Sequence, residues 1–478
     1  MFSSNLKRIK ITFIILLFFF GSFIRFYNLN FDDLWSDEMV TYWLSNPFFN
    51  FSETLKLIIE SDLTVSFKLI LKIFHKFFSY DVHASRYLSA LISVLSIISF
   101  IYLFANNSSN INSILYGTFL LVFNIFHIRY AMELRSYSLT FFLALVLINL
   151  FFKQQYLRKN ISFVNYLLII ACSVLMLFSH SFSIIIILSL NFYILCLWFF
   201  KKNDNSDLIK IFFLNIFIVI FFLLFYLKGI SHTPNWIEQL DISFFTNYFF
   251  SNFFGSRLIG GVYLVVLLYL LTKSIKQIIN KANINLFFLI LIFFSYFLPG
   301  IYGYIFEPIL INRYIIFVLI PILFLISHLT FESNNNLVKK IFLSLIIMLT
   351  FFNHFTENTF KQFYTNIYPS KPEIGKTLKF INKSNSLNYS VLLDVNNKLN
   401  INNIYENYLN NYTKKLKFDL NFINYLDKKT LPNDFWIIHI RDITETEFKK
   451  PNNFLNYTIK EKKYFNRLEL YQLKKNGT

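Results

Sequence analysis

Residues 7–38 read KRIKITFIILLFFFGSFIRFYNLNFDDLWSDE. Three cations, an apolar run to about Ile24, one arginine and then a run of acids make up the whole stretch. The apolar run is long enough to cross a hydrocarbon core of about 30 Å as a helix, the form in which a chain satisfies its own backbone in lipid. Basic residues ahead of it resemble a signal peptide, but the run is long and lacks a small-residue cleavage site, so it predicts an uncleaved first helix. Similar runs recur along the chain, which is 55% hydrophobic with 64 phenylalanines and a mean hydropathy of +0.49. They predict about eleven transmembrane helices, near 9–26, 86–104, 111–128, 137–152, 162–179, 183–200, 210–227, 258–272, 285–303, 313–331 and 338–354.

The charges order these helices. Lys7, Arg8 and Lys10 precede the first; Lys153, Arg158 and Lys159 follow the fourth; Lys201, Lys202 and Lys210 follow the sixth; Lys273, Lys276 and Lys281 follow the eighth; Lys339 and Lys340 precede the eleventh. Alternating helices put all of these on one side, which the positive-inside rule makes cytoplasmic. The first loop (about 25–85), the loop 228–257 and the tail from about 356 then lie on the other side. The net charge of +18 does not imply nucleic acid, because its cations are scattered over short loops and the tail. Cys172 and Cys196 lie inside apolar runs, so no disulfide framework is expected. The chain divides into a transmembrane domain, 1–355, and a small soluble α/β domain, 356–478. In the latter, 390–394 and 435–440 predict strands, and 371–383 and 400–411 predict helices. Asp394, Asp434, His439 and Asp442 read as turn and surface residues.

Everything that looks chemical falls on the non-cytoplasmic side. Asp37 and Glu38 follow Trp35 just beyond the first helix. They could serve as a general base with a helper, share a divalent cation such as Mg or Mn, or cap a helix opening at Ser36. No cofactor is otherwise required. Glu53 to Phe78 is amphipathic, as suits helices in the interface plane, with Asp62 among them as a solvated face. Arg129, Glu133 and Tyr137 share a face if the junction 127–137 is helical. Arg135 lies in the same junction but points elsewhere; His180 sits at another outer helix end, Trp236 and Arg257 in the loop 228–257, and Arg313 and Tyr314 at the entry to a late helix, where an arginine either snorkels or offers a planar fork suited to phosphate.

The ordered set Leu34-Trp35-Ser36-Asp37-Glu38, Arg129-Tyr-Ala-Met-Glu133-Leu-Arg135-Ser-Tyr137, His180, Pro234-Asn-Trp236 and Asn312-Arg313-Tyr314 resembles the polytopic bacterial glycosyltransferases of the GT-C fold. It is most similar in pattern to the protein O-mannosyltransferases and the aminoarabinose transferases of lipid A. The resemblance implies a bacterial inner-membrane enzyme that moves a sugar from a polyprenyl-phosphate donor to a lipid, protein or surface-glycan acceptor on the outer face, with inversion. It implies Asp37 as base, Glu38 as helper or metal ligand, Arg135, Arg313 and Arg129 against the donor phosphate, and Trp35, Asp62, Glu133, Tyr137, His180, Trp236, Arg257 and Tyr314 around the pocket. One departure is visible: where relatives carry a His-Pro-Pro-Leu-Tyr stretch, this chain has Asp62-Leu-Thr-Val-Ser-Phe-Lys68. A lipid or glycan transporter would instead show repeated halves and mid-membrane charges, and a non-catalytic scaffold would need none of these residues.

Overall fold

The computed structural model describes the chain except residues 1, 62–63, 109, 158–161, 202–205, 230–236, 238–251, 282, 333–335, 361–363, 366–370, 385–389, 395–400, 424–430, 442–453, 455 and 477–478. Asp62, Trp236 and Asp442, singled out above, lie outside the described residues. In chain order the helices are α1 (Phe2–Phe26), α2 (Ser36–Leu44), α3 (Phe51–Ser61), α4 (Val65–Phe78), α5 (Arg86–Asn107), α6 (Ile111–Val122), α7 (Ile125–Ala131), α8 (Tyr137–Leu157), α9 (Phe163–Leu177) and α10 (Ile184–Lys201). They continue with α11 (Ser206–Gly229), α12 (Arg257–Lys281), α13 (Ile284–Ile305), α14 (Leu319–Glu332), α15 (Asn336–Asn353), α16 (Ile374–Lys383) and α17 (Ile401–Leu416).

The chain forms two compact units. Residues 1–27, 51–70 and 87–356 make the first, a helical bundle. Each of the eleven expected segments is helical there, but among the described residues seven helices are long and apolar enough to cross a membrane. α6 and α7 add an eighth only if counted as one span bent by 57°. α8 and α9 hold shorter apolar stretches, Tyr137–Lys153 and Phe163–Leu177, so the count of eleven is not reached on this measure. The single helix expected over 111–128 is broken because Asn124 turns its side chain onto the backbone N–H of His127 and starts α7 afresh.

The segment Asn312–Glu332, ending in α14, is the centre of the bundle: 89% of its apolar window is buried, and α14 packs against α6, α12 and α13. Close approach needs a small residue. A Cβ at Gly117 of α6 would overlap the Phe104 ring, which stacks on Phe324 with centroids 4.5 Å apart. Arg25 at the end of α1 is fully buried and donates to Ser93 Oγ, to the carbonyls of Gly21, Leu121 and Val122, and to His127 Nδ1 at 2.7 Å. It thereby caps the C-terminal carbonyls of α6 at the bend.

The second unit joins residues 28–50 and 71–86 to the tail 357–478. The first loop therefore does not belong wholly with the membrane helices, as its place in the sequence suggested; side chains of the tail hold it. The tail carries a five-stranded sheet of β1 (Ser390–Asp394), β2 (Asn421–Phe422), β3 (Asp434–Ile440), β4 (Tyr457–Phe465) and β5 (Leu468–Lys475), in the order β2-β1-β3-β5-β4. β1 runs parallel to β2 and β3, whereas β5 is antiparallel to β3 and β4. β3 is buried along nearly its whole length, which explains its continuous run Phe435-Trp-Ile-Ile-His-Ile. His439 is thus a core residue and not a surface one: it is 2% exposed, and its Nδ1 lies 2.7 Å from Asp394 Oδ2. Asp434 accepts from Gln472 at 3.0 Å.

Candidate active site

In the second unit the acids expected from the sequence sit in the first turn of α2. Trp35 is its N-cap, and Glu38 reaches back to the Trp35 N–H at 3.4 Å, so the capping interpretation holds for Glu38. Glu38 is also fully buried and held from two sides. Arg86 grips both its oxygens, Nε to Oε1 at 3.1 Å and Nη2 to Oε2 at 2.9 Å, and Lys371 Nζ lies 2.7 Å from Oε2. The rest of the Arg86 fork goes to the carbonyls of Leu29 (3.0 Å), Asp32 (2.6 Å) and Asp33 (3.2 Å), so the loop 28–38 is wrapped around it. A divalent cation does not fit beside Glu38, whose oxygens already face two cations. Among the described residues no three His, Cys, Asp or Glu gather as a metal set.

Asp37 differs from its neighbour. It is half-buried, and its carbonyl accepts from Thr41 Oγ1 one turn on. Asp33 caps α16 from a distance, accepting from the Gly375 N–H at 2.8 Å, and its burial pushes that carboxyl above the ordinary range. Tyr408 Oη receives the Leu34 N–H at 3.3 Å. Nearby, Tyr42 and Tyr80 stack in parallel with centroids 4.3 Å apart, and buried His75 bonds Ser85 Oγ at 2.9 Å.

In the first unit a second group assembles where α7 ends and α8 begins. The junction 127–137 is not helical throughout, being interrupted at 132–136, yet Arg129 still meets Glu133 at 3.6 Å, with Arg129 48% exposed and Glu133 8%. The break brings Tyr137 under Tyr130, with centroids 5.0 Å apart. Ser179 Oγ and Thr140 Oγ1, 2.9 Å apart, tie the following turn in, which sets His180 5.8 Å from Tyr137 and 4.7 Å from Tyr314. Arg135 lies over Tyr137 and Arg313 over Tyr314, each with Cζ 5.9 Å from the ring centroid. Arg129 is close enough to Arg313 for their charges to repel. Three arginines, one acid, three tyrosines and a histidine thus share one end of the bundle, drawn from three stretches between Arg129 and Tyr314. A cluster of planar cations and aromatic rings can take an anionic group attached to an apolar chain or a ring. Arg257 opens α12 and is exposed.

Arg86 and Lys371 were not singled out in the sequence. The one signal for Arg86 was a lone cation opening an apolar helix; Lys371 carries none, because lysines are common throughout the tail.

Comparison with protein-family models and with curated sequences finds no match. Solved structures do match. ArnT from Cupriavidus metallidurans in the apo state superposes with a TM-score of 0.57 at 9% identity, covering 99% of this chain and 98% of ArnT. ArnT bound to undecaprenyl phosphate gives 0.56 at 10% identity, with 98% of each chain covered. The chain has the GT-C fold. The archaeal oligosaccharyltransferase AglB from Archaeoglobus fulgidus, in complex with an inhibitory peptide and a dolichol-phosphate, gives 0.52 at 10% identity. There the match covers 85% of this chain and 64% of AglB, so the chain spans less than two thirds of that GT-C protein. At these identities the likeness establishes the fold alone; the chain's own long apolar helices make it a multi-pass integral membrane protein, and its tail carries the small C-terminal sheet domain.

Proposed function

We propose that the chain transfers a sugar from a polyprenyl-phosphate donor to a lipid, protein or surface-glycan acceptor on the outer face of a bacterial inner membrane. The observation that carries this reading is the gathering of Arg129, Arg135 and Arg313 with Glu133, Tyr137, His180 and Tyr314 at one end of a GT-C bundle. In the reaction, Asp37 takes the acceptor's proton as the acceptor atom bonds to the anomeric carbon. The bond from that carbon to the phosphate oxygen breaks on the opposite face, which inverts the centre. The electron pair leaves with the polyprenyl phosphate, and Arg135 and Arg313 stabilise its growing charge, with Arg129 at the rim. Glu38, already neutralised, serves the loop and not the proton transfer. The structures of ArnT with undecaprenyl phosphate and AglB with a dolichol-phosphate support a lipid phosphate as the leaving group.

The sidedness has support of its own. Contacts between residues 28–50 and the tail within one unit support a shared side of the membrane, with an even number of crossings between them. The lysine-rich loops lie on the opposite side in the positive-inside assignment, which makes the shared side the outer one.

The test is mass spectrometry of polyprenyl-phosphate sugars and envelope glycans from a deletion strain carrying either the wild-type chain or Asp37→Asn. The wild type restores one glycan; Asp37→Asn leaves its lipid-linked donor accumulated, with normal amounts of protein in the membrane. Full glycan in the Asp37→Asn strain removes Asp37 as base. Movement of a lipid-linked sugar across vesicles with no covalent product would overturn the transferase reading itself.

A further inference from the structure

Three contacts in the second unit run from the tail to the short segment that carries Asp37. Lys371 Nζ reaches Glu38 Oε2 at 2.7 Å, the Gly375 N–H reaches Asp33 Oδ2 at 2.8 Å, and Tyr408 Oη accepts from Leu34 N–H at 3.3 Å. They flank Asp37 on both sides, at positions 33, 34 and 38. All three partners come from 371–408, more than 330 residues later in the chain. None of the three partners belongs to the core cluster of the sheet, which is built from Leu392, Phe435, Ile437, Phe454, Tyr457, Tyr471 and Leu473.

The chemistry of each contact is specific. Lys371 is 12% exposed in its side chain, an uncommon depth for a lysine, and Glu38 is fully buried, so the ion pair is shielded from water. The Asp33 carboxylate sits at the first turn of α16, where the helix offers unsatisfied N–H groups and favours negative charge. Gly375 leaves just enough room: a Cβ there would overlap the Tyr412 hydroxyl, which in turn hydrogen-bonds Asp33. Glu38 on its own could be satisfied by Arg86, whose fork already engages both carboxylate oxygens. Lys371 is thus a second anchor, supplied by the tail, for the first turn of α2.

We infer that the C-terminal domain is a working part of the transfer site, and that Lys371 is a positioning residue which fixes the first turn of α2, and with it Asp37, through Glu38. This rests on the reading of Asp37 as the base. A base misplaced by about 1 Å can lose on the order of 100-fold in rate, whereas donor binding through arginines elsewhere is untouched. The loss therefore falls on kcat and leaves the KM for the donor alone.

The experiment uses the full chain in detergent or vesicles, with a defined polyprenyl-phosphate sugar, and Lys371→Met, Lys371→Arg and Gly375→Ala. Lys371→Met is expected to lower kcat roughly 10- to 100-fold with donor KM within about two-fold, and Lys371→Arg to recover most of it. Gly375→Ala, acting on the other flank, is expected to lower kcat in the same way. A Lys371→Met enzyme with wild-type kcat overturns the inference, as does a loss that Arg does not rescue. A second readout needs no activity. In Asp37→Cys, with Cys172 and Cys196 replaced by alanine, the rate of labelling by a water-soluble maleimide reports the mobility of the turn. Adding Lys371→Met is expected to raise that rate at least about five-fold; an unchanged rate overturns the inference. If the wild type moves no sugar but the labelling rate still rises, the positioning stands and only the transferase reading falls.

Discussion

Arg86→Met is the most exacting perturbation of the second unit. The guanidinium has five N–H donors and makes five hydrogen bonds, two to Glu38 and three to the carbonyls of Leu29, Asp32 and Asp33. Methionine matches the stem but takes from the fully buried Glu38 carboxylate the Arg86 donors on both its oxygens, and leaves three carbonyls to find water. Removing one partner of a buried pair costs about 3–5 kcal/mol. For a cooperative unit of 150–250 residues, about 2–4 °C of Tm follows each kcal/mol, so Tm is expected to drop roughly 6–20 °C. Trp35 and Trp43, on either side of Glu38, let intrinsic fluorescence of the detergent-purified protein follow the transition. If the cost is the stranded charge, Glu38→Gln in the same chain recovers at least half of the loss; if it is the uncapped carbonyls, the double variant melts with the single. A Tm for Arg86→Met within about 2 °C of wild type would refute the account, because the fork would then contribute no more than a surface pair does.

Arg135→Ala and Arg313→Ala are each expected to lower kcat on the order of 100- to 1,000-fold without loss of protein from the membrane, as measured by single-turnover transfer from the lipid-linked donor. Retained kcat in both would move the leaving-group phosphate away from the cluster. His75 gives a dependence on pH. Burial pushes its imidazole down to about 4, against an ordinary value near 6.5. Between those values the unfolded chain binds a proton that the folded one refuses, so stability is full above about pH 6.5 and falls as the pH drops towards 4, by at most about 3 kcal/mol. Melting scans at pH 7 and 4.5 are expected to differ markedly in the wild type and less in His75→Gln; equal slopes would show that other groups set the acid response.

The membrane helices are legible because lipid imposes a single rule on them, a long apolar run, and the runs of Phe, Ile and Leu obey it. The bend between α6 and α7 is not, because it hangs on one asparagine cap inside an otherwise continuous run. The arginine and tyrosine cluster around Tyr137 is legible as residue types at helix ends, although the break at 132–136 that brings Tyr137 beneath Tyr130 is not. β4 escaped notice because Lys460, Glu461, Lys462 and Lys463 mask its apolar positions, the charges with which an edge strand discourages further pairing. His439 was misread because a polar residue in a strand suggests an open face; in a strand covered on both sides it must find a partner, and Asp394 supplies one. Arg86 and Lys371 lie beyond local reasoning, since nothing at either position announces an acid 48 or 333 residues away.

The separation between Glu38 and Lys371 also sets a timetable. A ribosome adding about 5–20 residues per second needs roughly 2–10 s to pass from Glu38 to Arg86, but roughly 15–70 s to reach Lys371. The buckle between Arg86 and Glu38 can close while the chain is still being inserted, whereas the grip of the tail waits until the last crossing is made. A nascent or truncated chain would therefore stand in the membrane with its helices threaded and its acidic turn unclasped. Arrival of the tail beside the first loop would then be a late step of assembly, tying the competence of that loop to completion of the chain.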